Sequence, residues 1–242
     1  MDVLPRDAVH VDVLATDDAD AISRLSSYAQ LLTDDERARM ARLVFDRDRD
    51  AFLMTRALVR TMLSRYAPVA PAEWRFIATE YGRPEILDRP ANLPDLRFNI
   101  SHTRGMIACA VTIGREVGID IEDINRGLTH DVAGRFFADA EVDDLHALPE
   151  HEQARVFFDY WTLKEAYIKA RGFGLALPLG DFAFKLNPPH APAISFAPAL
   201  QDEPASWQFV QDWPTPVHRF ALAVRRTGAD LPVRMRRVVP PA

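Results

Sequence analysis

Two short stretches decide the fold of this chain: Gly118-Ile119-Asp120-Ile121-Glu122 and Trp161-Thr162-Leu163-Lys164-Glu165-Ala166. The first stretch predicts a buried strand, and Asp120 and Glu122 share one face of it because side chains alternate along a strand. The second stretch predicts a helix that carries Glu165. Three carboxylates that converge in one cleft repel each other unless a cation lies between them, and a hard divalent ion held by oxygen ligands is the usual solution. Such an ion commonly binds a phosphate-bearing substrate as well. Phosphate chemistry is therefore the first function to consider.

Each motif taken alone also has a purely structural interpretation. An Asp-x-Glu pair is common on solvated strand edges, and a lone helical glutamate such as Glu165 lies on the surface more often than not. The apolar and aromatic residues around both motifs favour a core strand and a closely packed helix instead. We therefore keep both motifs as candidate site elements.

The order of predicted elements favours an α+β fold, and a boundary near Gly114 leaves helices and several strands on each side, 1–114 and 115–242. Thr33 and Glu36 form a capping-box pattern that starts a helix, and Gly172 ends the last long one. Helices and strands do not alternate regularly, which argues against a parallel α/β sheet. The predicted helices are 34–43, 47–66, 133–137, 140–148 and 152–171; the predicted strands are 9–14, 74–79, 96–100, 106–113, 117–122, 182–186, 193–196, 207–211 and 219–224.

Composition excludes several broad classes of protein. The 242 residues carry a net charge of −6, which argues against general binding to nucleic acid or to an anionic membrane. A single cysteine, Cys109, allows neither an internal disulfide nor a cysteine-based zinc cluster. Residues 1–7 lack the pattern of a secretory signal, and no apolar run approaches the roughly 20 residues of a membrane helix. We expect a cytoplasmic protein.

Candidate anion-binding residues lie in the N-terminal half. Arg39 and Arg42 belong to a basic group early in the chain, and Arg83 occupies a tight turn, where its guanidinium can bind phosphate oxygens. Ser101 and His102 follow a strand that is predicted to be buried. Surface charge is the simpler interpretation of most single arginines. Neither a Walker-type phosphate loop nor a Gly-x-Gly-x-x-Gly motif occurs.

Taken together, the motifs resemble those of the Sfp-type 4′-phosphopantetheinyl transferases, in both order and spacing over roughly residues 36–186. The resemblance implies two similar halves related by pseudo-twofold symmetry, with coenzyme A as the substrate bound in the cleft between them. The matching stretches are Tyr81-Gly82-Arg83-Pro84, Phe98-Asn99-Ile100-Ser101-His102-Thr103, Val117-Gly118-Ile119-Asp120-Ile121-Glu122, Arg135-Phe136-Phe137 with Glu141, and Trp161 through Lys169.

The resemblance also implies an activity and the residues that perform it. The enzyme would transfer phosphopantetheine from coenzyme A to a serine of an acyl or peptidyl carrier protein and release adenosine 3′,5′-bisphosphate. The implied pathways are fatty acid biosynthesis and secondary metabolism. The implied ligands of Mg²⁺, or of Mn²⁺ as an alternative, are Asp120, Glu122 and Glu165. The implied contacts to the phosphates and to coenzyme A are Lys169, Lys164, Arg83, Ser101, His102, Arg39 and Arg42.

The attacking hydroxyl belongs to the carrier, so this chain needs a base rather than a nucleophile. Glu165 can take the proton directly or through a metal-bound water, and Glu141 is the second candidate; the sequence leaves this choice open. An acidic carrier is expected to dock near 135–148, and a monomer is expected. Two other functions stay open: a different Mg²⁺-dependent phosphotransferase or phosphohydrolase, and a carrier-binding module without chemistry.

Overall fold

The computed structural model describes residues 4–89, 92–127 and 132–241, so the first three residues of the N-terminal segment considered above lie outside it. Its helices are α1 (Ala19–Ser23), α2 (Leu25–Gln30), α3 (Asp34–Ala41), α4 (Asp46–Ser64), α5 (Val132–Phe136), α6 (Asp139–His146) and α7 (Glu150–Arg171). Its strands are β1 (Val9–Ala15), β2 (Phe76–Ala78), β3 (Pro84–Ile86), β4 (Leu96–Thr103), β5 (Met106–Ile113), β6 (Val117–Asp123), β7 (Phe182–Asn187), β8 (His190–Phe196), β9 (Trp207–Thr215), β10 (His218–Arg225) and β11 (Val233–Arg237). The predicted α+β class is confirmed.

The chain forms two compact units. Unit 1 comprises Met1–Ala78, Pro84–Gly114 and Pro232–Ala242, and unit 2 comprises Thr79–Arg83 and Arg115–Leu231. These units differ from the expected halves 1–114 and 115–242 at two segments, because residues 79–83 group with unit 2 and residues 232–242 with unit 1. The pseudo-twofold relation of the halves stays a prediction.

Unit 1 contains a four-stranded sheet with strand order β11-β1-β5-β4, and α4 packs on it. The β1–β5 and β4–β5 pairs are antiparallel, whereas β11 runs parallel to β1. The predicted capping box starts α3, since the Glu36 amide donates to Thr33 at 3.3 Å and the Thr33 amide donates to Glu36 at 3.0 Å. Apolar side chains of α4, including Met54, Leu58 and Met62, fill the core beneath the sheet.

Unit 2 contains an antiparallel sheet with strand order β6-β10-β9, and α7 packs on it. The helix begins after Pro149 and ends at Gly172, whose backbone adopts a left-handed φ of 74° that favours glycine. Aromatic side chains of α7, such as Phe158 and Tyr167, are fully buried. Among the described residues, no helix combines the length and the apolar character that a membrane span requires.

Candidate functional site

Gly118 allows helix α7 to lie unusually close to strand β6. A Cβ atom added at Gly118 would lie 2.0 Å from the carbonyl oxygen of Ala166 and 2.3 Å from the amide nitrogen of Ala170. Side chains alternate along a strand, so Asp120 and Glu122 share the face that packs on α7. The predicted strand and helix therefore meet, and the missing side chain of Gly118 sets the distance between them.

Asp120 forms an ion pair with Lys169 across this contact. The Lys169 Nζ atom donates to Asp120 Oδ1 at 2.6 Å, and the Asp120 side chain is only 4% exposed. Burial and the neighbouring negative charge of Asp120 raise the pKa of Glu165 to about 7, although Lys169 and Arg126 oppose the shift. A carboxylate with this pKa exchanges its proton near neutral pH, which is the range in which a general base works best.

Glu122 is held by two donors that sequence reasoning did not assign to the site. The indole Nε1 of Trp161 donates to Glu122 Oε1 at 3.3 Å, and Arg126 approaches the same oxygen at 3.0 Å. The Trp161 ring stacks on Phe157 with ring centroids 5.8 Å apart, which fixes its orientation. The position of Trp161 four residues before Glu165 is the sequence signal that could have revealed this role, because residues four apart lie on one helix face.

The structure places Asp120 and Glu122 on β6 and Glu165 and Lys169 on α7, and Asp120 is bonded to Lys169 and close enough to Glu165 to raise its pKa. The shared metal role of the three carboxylates stays a prediction. Within the described ranges, however, no group of three or more His, Cys, Asp or Glu side chains forms a ready metal-binding arrangement. Asp120 and Glu122 instead bind cationic side chains. The carboxylate oxygens nevertheless fit a hard divalent ion by donor type. Burial is the main reason for the raised pKa of Glu165, and the negative charge of Asp120, which such an ion would balance, adds to it.

Glu141 and Lys164 form a second ion pair that is completely buried. Lys164 Nζ lies 2.6 Å from Glu141 Oε2 and donates to the carbonyl oxygens of Leu179 and Phe182 at 2.8 and 2.7 Å. These contacts occupy all three donors of the ammonium group. Glu141 also accepts from the Phe184 amide at 2.7 Å. Two predictions concern these residues: Glu141 as the base and Lys164 as a contact of coenzyme A. Both stay predictions, and the complete burial of the pair does not favour them.

Arg83 lies at the carboxyl end of α7. Its Nη1 atom donates to the Ala170 carbonyl at 2.8 Å, which satisfies one of the carbonyls that a helix end leaves without an intrahelical partner. The positive charge also complements the negative end of the helix dipole. The structure therefore shows a helix-capping contact for Arg83, and the predicted contact to coenzyme A stays a prediction.

The remaining predicted contacts belong to unit 1. Arg39 lies in the last turn of α3, and Arg42 is the first residue after this helix. Both side chains are exposed. Ser101 and His102 lie on β4, where Ser101 is buried and His102 is exposed. Their roles as coenzyme A contacts stay predictions.

A cleft of about 760 Å³ in unit 2 lies apart from the carboxylates. Residues of α6, α7, β8 and β9 line it, and Asp120, Glu122 and Glu165 do not. Its wall contains the ion pair between Arg219 and Asp159, with Nε and Oδ1 2.5 Å apart. We assign the candidate site by its chemistry rather than by cleft size.

Comparison with known proteins identifies the family. A family model described as the 4′-phosphopantetheinyl transferase superfamily matches residues 116–224, and one described as 4′-phosphopantetheinyl transferase, N-terminal, matches residues 21–113. The 4′-phosphopantetheinyl transferase HetI of Nostoc sp. is 36% identical over 194 residues, which cover 80% of each chain. This chain belongs to the 4′-phosphopantetheinyl transferase family. The resemblance inferred from the motifs is thus confirmed.

Other members of the 4′-phosphopantetheinyl transferase family match as well. The Sfp enzyme of Bacillus subtilis is 35% identical over 160 residues, which cover 66% of this chain and 69% of that enzyme. The crystal structure of the holo-[acyl-carrier-protein] synthase of Thermotoga maritima aligns with a TM-score of 0.38 at 21% identity, over 46% of this chain and 63% of that chain. That alignment is too weak to support an argument. The superfamily match contains Asp120, Glu122 and Glu165, and the N-terminal match contains the predicted contacts of unit 1.

Proposed function

We propose that this transferase moves the 4′-phosphopantetheine group from coenzyme A to a serine of an apo acyl or peptidyl carrier protein and releases adenosine 3′,5′-bisphosphate. Membership of the 4′-phosphopantetheinyl transferase family supports the reaction. The observation that carries the proposal is the meeting of Asp120, Glu165 and Lys169 on β6 and α7. A fatty-acid, polyketide or nonribosomal-peptide carrier fits the proposal equally.

The proposed reaction depends on Mg²⁺, with Mn²⁺ as a substitute. We propose that Asp120, Glu122 and Glu165 hold the ion, since oxygen ligands suit a hard cation. When bound, the ion would neutralise negative charge on the pyrophosphate of coenzyme A. Lys169, which now pairs with Asp120 at 2.6 Å, is the side chain that can turn toward a phosphate oxygen once Asp120 has another cationic partner.

Glu165 is the proposed general base. In the metal-free protein, burial and the charge of Asp120 raise the pKa of Glu165 to about 7. Its proposed role is to accept the proton of the serine hydroxyl, directly or through a water molecule. Glu141 is the weaker candidate, because its side chain is fully buried and already bonded to Lys164 and to backbone amides. A partner protein cannot bring its serine within hydrogen-bond distance of a group without exposed surface.

Further proposed contacts complete the binding of both substrates. The proposed coenzyme A contacts are Arg39, Arg42, Arg83, Ser101 and His102. The proposed docking segment for an acidic carrier is 135–148, where Phe136 is 39% exposed. Arg135 is the positive charge of this segment, and Asp139, Asp143 and Asp144 oppose it, so the exposed aromatic residue supports the proposal better than charge does. A monomer that acts in the cytoplasm is part of the same proposal.

The test is incubation with coenzyme A, Mg²⁺ and an apo carrier protein, followed by intact mass measurement of the carrier. A mass gain of one phosphopantetheine group that disappears when EDTA removes the metal is the expected result. Release of phosphate without this mass gain would indicate hydrolysis, and carrier binding without it would indicate a module that lacks chemistry. Both results contradict the proposal.

A pair of variants on the same helix tests the site itself. Glu165→Gln removes a proposed metal ligand and base with little change in shape, so transfer should fall at least about 100-fold. Glu150→Gln changes an exposed residue at the start of α7 and should transfer at the wild-type rate. Equal rates for the two variants would remove Glu165 from the site. Asp120→Ala should likewise abolish transfer while the protein stays folded.

A further inference from the structure

Unit 1 contains a groove of about 400 Å³ that is separate from every residue assigned above. It lies between the end of α4 and the C-terminal segment. Two guanidinium groups, Arg65 and Arg236, belong to its lining, and none of the described residues that line it carries a negative charge. The other lining residues are Thr61, Ser64, Pro71, Val238, Val239, Pro240 and Pro241.

A single buried carboxylate holds both guanidiniums in place. Arg65 binds Asp12 through both terminal nitrogens, and Arg236 Nε lies 3.3 Å from Asp12 Oδ1. The Asp12 side chain has no exposed surface. Two cations thus share one anion, so the cluster keeps a net positive charge that faces the groove.

Donors remain for a ligand in this groove. Arg236 is 46% exposed, and in the part of the chain that the structure describes it spends one of its five N–H donors on Asp12. Ser64 Oγ accepts a hydrogen bond from Trp74 Nε1 at 2.9 Å, so its own hydroxyl proton is available to donate. Thr61 differs, because its hydroxyl already donates to the Ala57 carbonyl at 2.7 Å.

The C-terminal segment that lines the groove, Val238–Pro241, is apolar and held in place. Arg24 and Tyr28 both donate to the Pro240 carbonyl at 2.8 Å, and the Val238 amide donates to the Val13 carbonyl at 2.9 Å. These bonds hold the proline- and valine-rich C-terminal segment against the unit. The groove therefore has a cationic side and a preformed apolar side, a combination that is typical of sites for small ligands.

We propose that this groove binds a small phosphate monoester. Its phosphate lies against Arg65, Arg236 and Ser64, and its organic part lies against the apolar wall. A guanidinium presents a rigid fork of donors that matches phosphate oxygens. The net positive charge of the two arginines would repel a cationic ligand. An uncharged ligand would leave this positive charge without a partner.

The experiment is an NMR titration of the whole protein that follows the arginine side-chain Nε–Hε signals. Inorganic phosphate and phenyl phosphate are the probes, and sodium chloride at equal ionic strength is the reference. We expect the Arg236 signal to shift and saturate with both probes, at lower concentration with phenyl phosphate. If the Arg236 signal shifts with phosphate only as much as it does with chloride, the proposal is wrong. This result with the wild-type protein is sufficient, without any variant.

Two variants of β11 locate the effect. Arg236→Gln should weaken phosphate binding about tenfold or more, which corresponds to the loss of one charge-assisted hydrogen bond. Arg237→Gln changes the neighbouring exposed arginine on the other face of the strand and should bind phosphate as the wild type does. Equal affinity of both variants would show that phosphate binds elsewhere on the surface and would also overturn the proposal.

Discussion

Replacement of Gly118 by alanine tests whether the close approach of β6 and α7 builds the site. The new Cβ atom would lie 2.0 Å from Ala166 O and 2.3 Å from Ala170 N, and both are backbone atoms that no rotamer change can move away. Carbon atoms in proteins pack at about 3.5–4 Å from their neighbours. Helix and strand must therefore separate by more than about 1 Å, which also opens the 2.6 Å contact between Lys169 and Asp120.

Both stability and activity should respond to Gly118→Ala. Overpacking costs about 1–3 kcal/mol, and a contact with backbone atoms belongs at the upper end of that range, about 3 kcal/mol. A displacement of about 1 Å at reacting groups can lower the rate about 100-fold. Urea unfolding followed by tryptophan fluorescence reports mainly on unit 2, which contains Trp161, Trp207 and Trp213, whereas Trp74 belongs to unit 1. The carrier-modification assay reports on the site.

Two comparisons make this prediction specific. Gly180→Ala is the control, because a Cβ atom at Gly180 meets nothing within 4 Å, and it should change neither stability nor activity. The double variant Gly118→Ala with Ala170→Gly should stay as impaired as the single one, since the collision involves backbone atoms rather than the Ala170 methyl group. Wild-type stability of Gly118→Ala, or its rescue by Ala170→Gly, would refute the reasoning.

Three further predictions follow from other contacts of unit 2. Trp161→Phe keeps the ring stack but removes the N–H bond to Glu122, so Mn²⁺ affinity measured by electron paramagnetic resonance should fall about tenfold; an unchanged affinity speaks against this positioning role. Asp202→Asn removes a carboxylate that accepts from Tyr167 at 2.7 Å and pairs with two cations, Arg171 and Arg225. Urea unfolding should show a loss of about 3 kcal/mol, and a loss below about 1 kcal/mol contradicts the expectation. In metal-free protein, folding raises the Glu165 pKa from 4.5 to about 7. The folded state therefore keeps the Glu165 proton to higher pH than the unfolded state does. The contribution of Glu165 to the unfolding free energy should fall by up to about 3 kcal/mol as the pH rises from below 4.5 to above about 7. A Glu165→Gln variant should lack this contribution, and identical pH profiles would contradict the assignment.

The central elements of the fold could be predicted because their signals are local. Glycine at 172 and the capping box at Thr33 mark helix ends through backbone geometry alone, and both are observed where the sequence placed them. The alternation around Asp120 gives β6, and the helical spacing from Trp161 gives α7. Membership of the transferase family could also be inferred, since several spaced motifs agree.

Other features depend on contacts between distant residues and could not be predicted. Strand β11 has the sequence Val-Arg-Met-Arg-Arg, whose alternation of apolar and polar residues covers only four positions, and its parallel pairing with β1 joins residues more than 200 positions apart. Helices α1 and α2 are short and lack a long apolar period. The buried pair of Glu141 and Lys164 resembles two surface charges in the sequence, and only the packing of α6 against α7 places both in the core.

The central claim is that carboxylates of β6 and α7 share one divalent ion. Its most direct test is anomalous diffraction from crystals that contain Mn²⁺ and coenzyme A. We predict one strong peak within about 2–2.6 Å of oxygen atoms of Asp120, Glu122 and Glu165. A peak bound by other residues, with Asp120 still paired to Lys169, would contradict the claim.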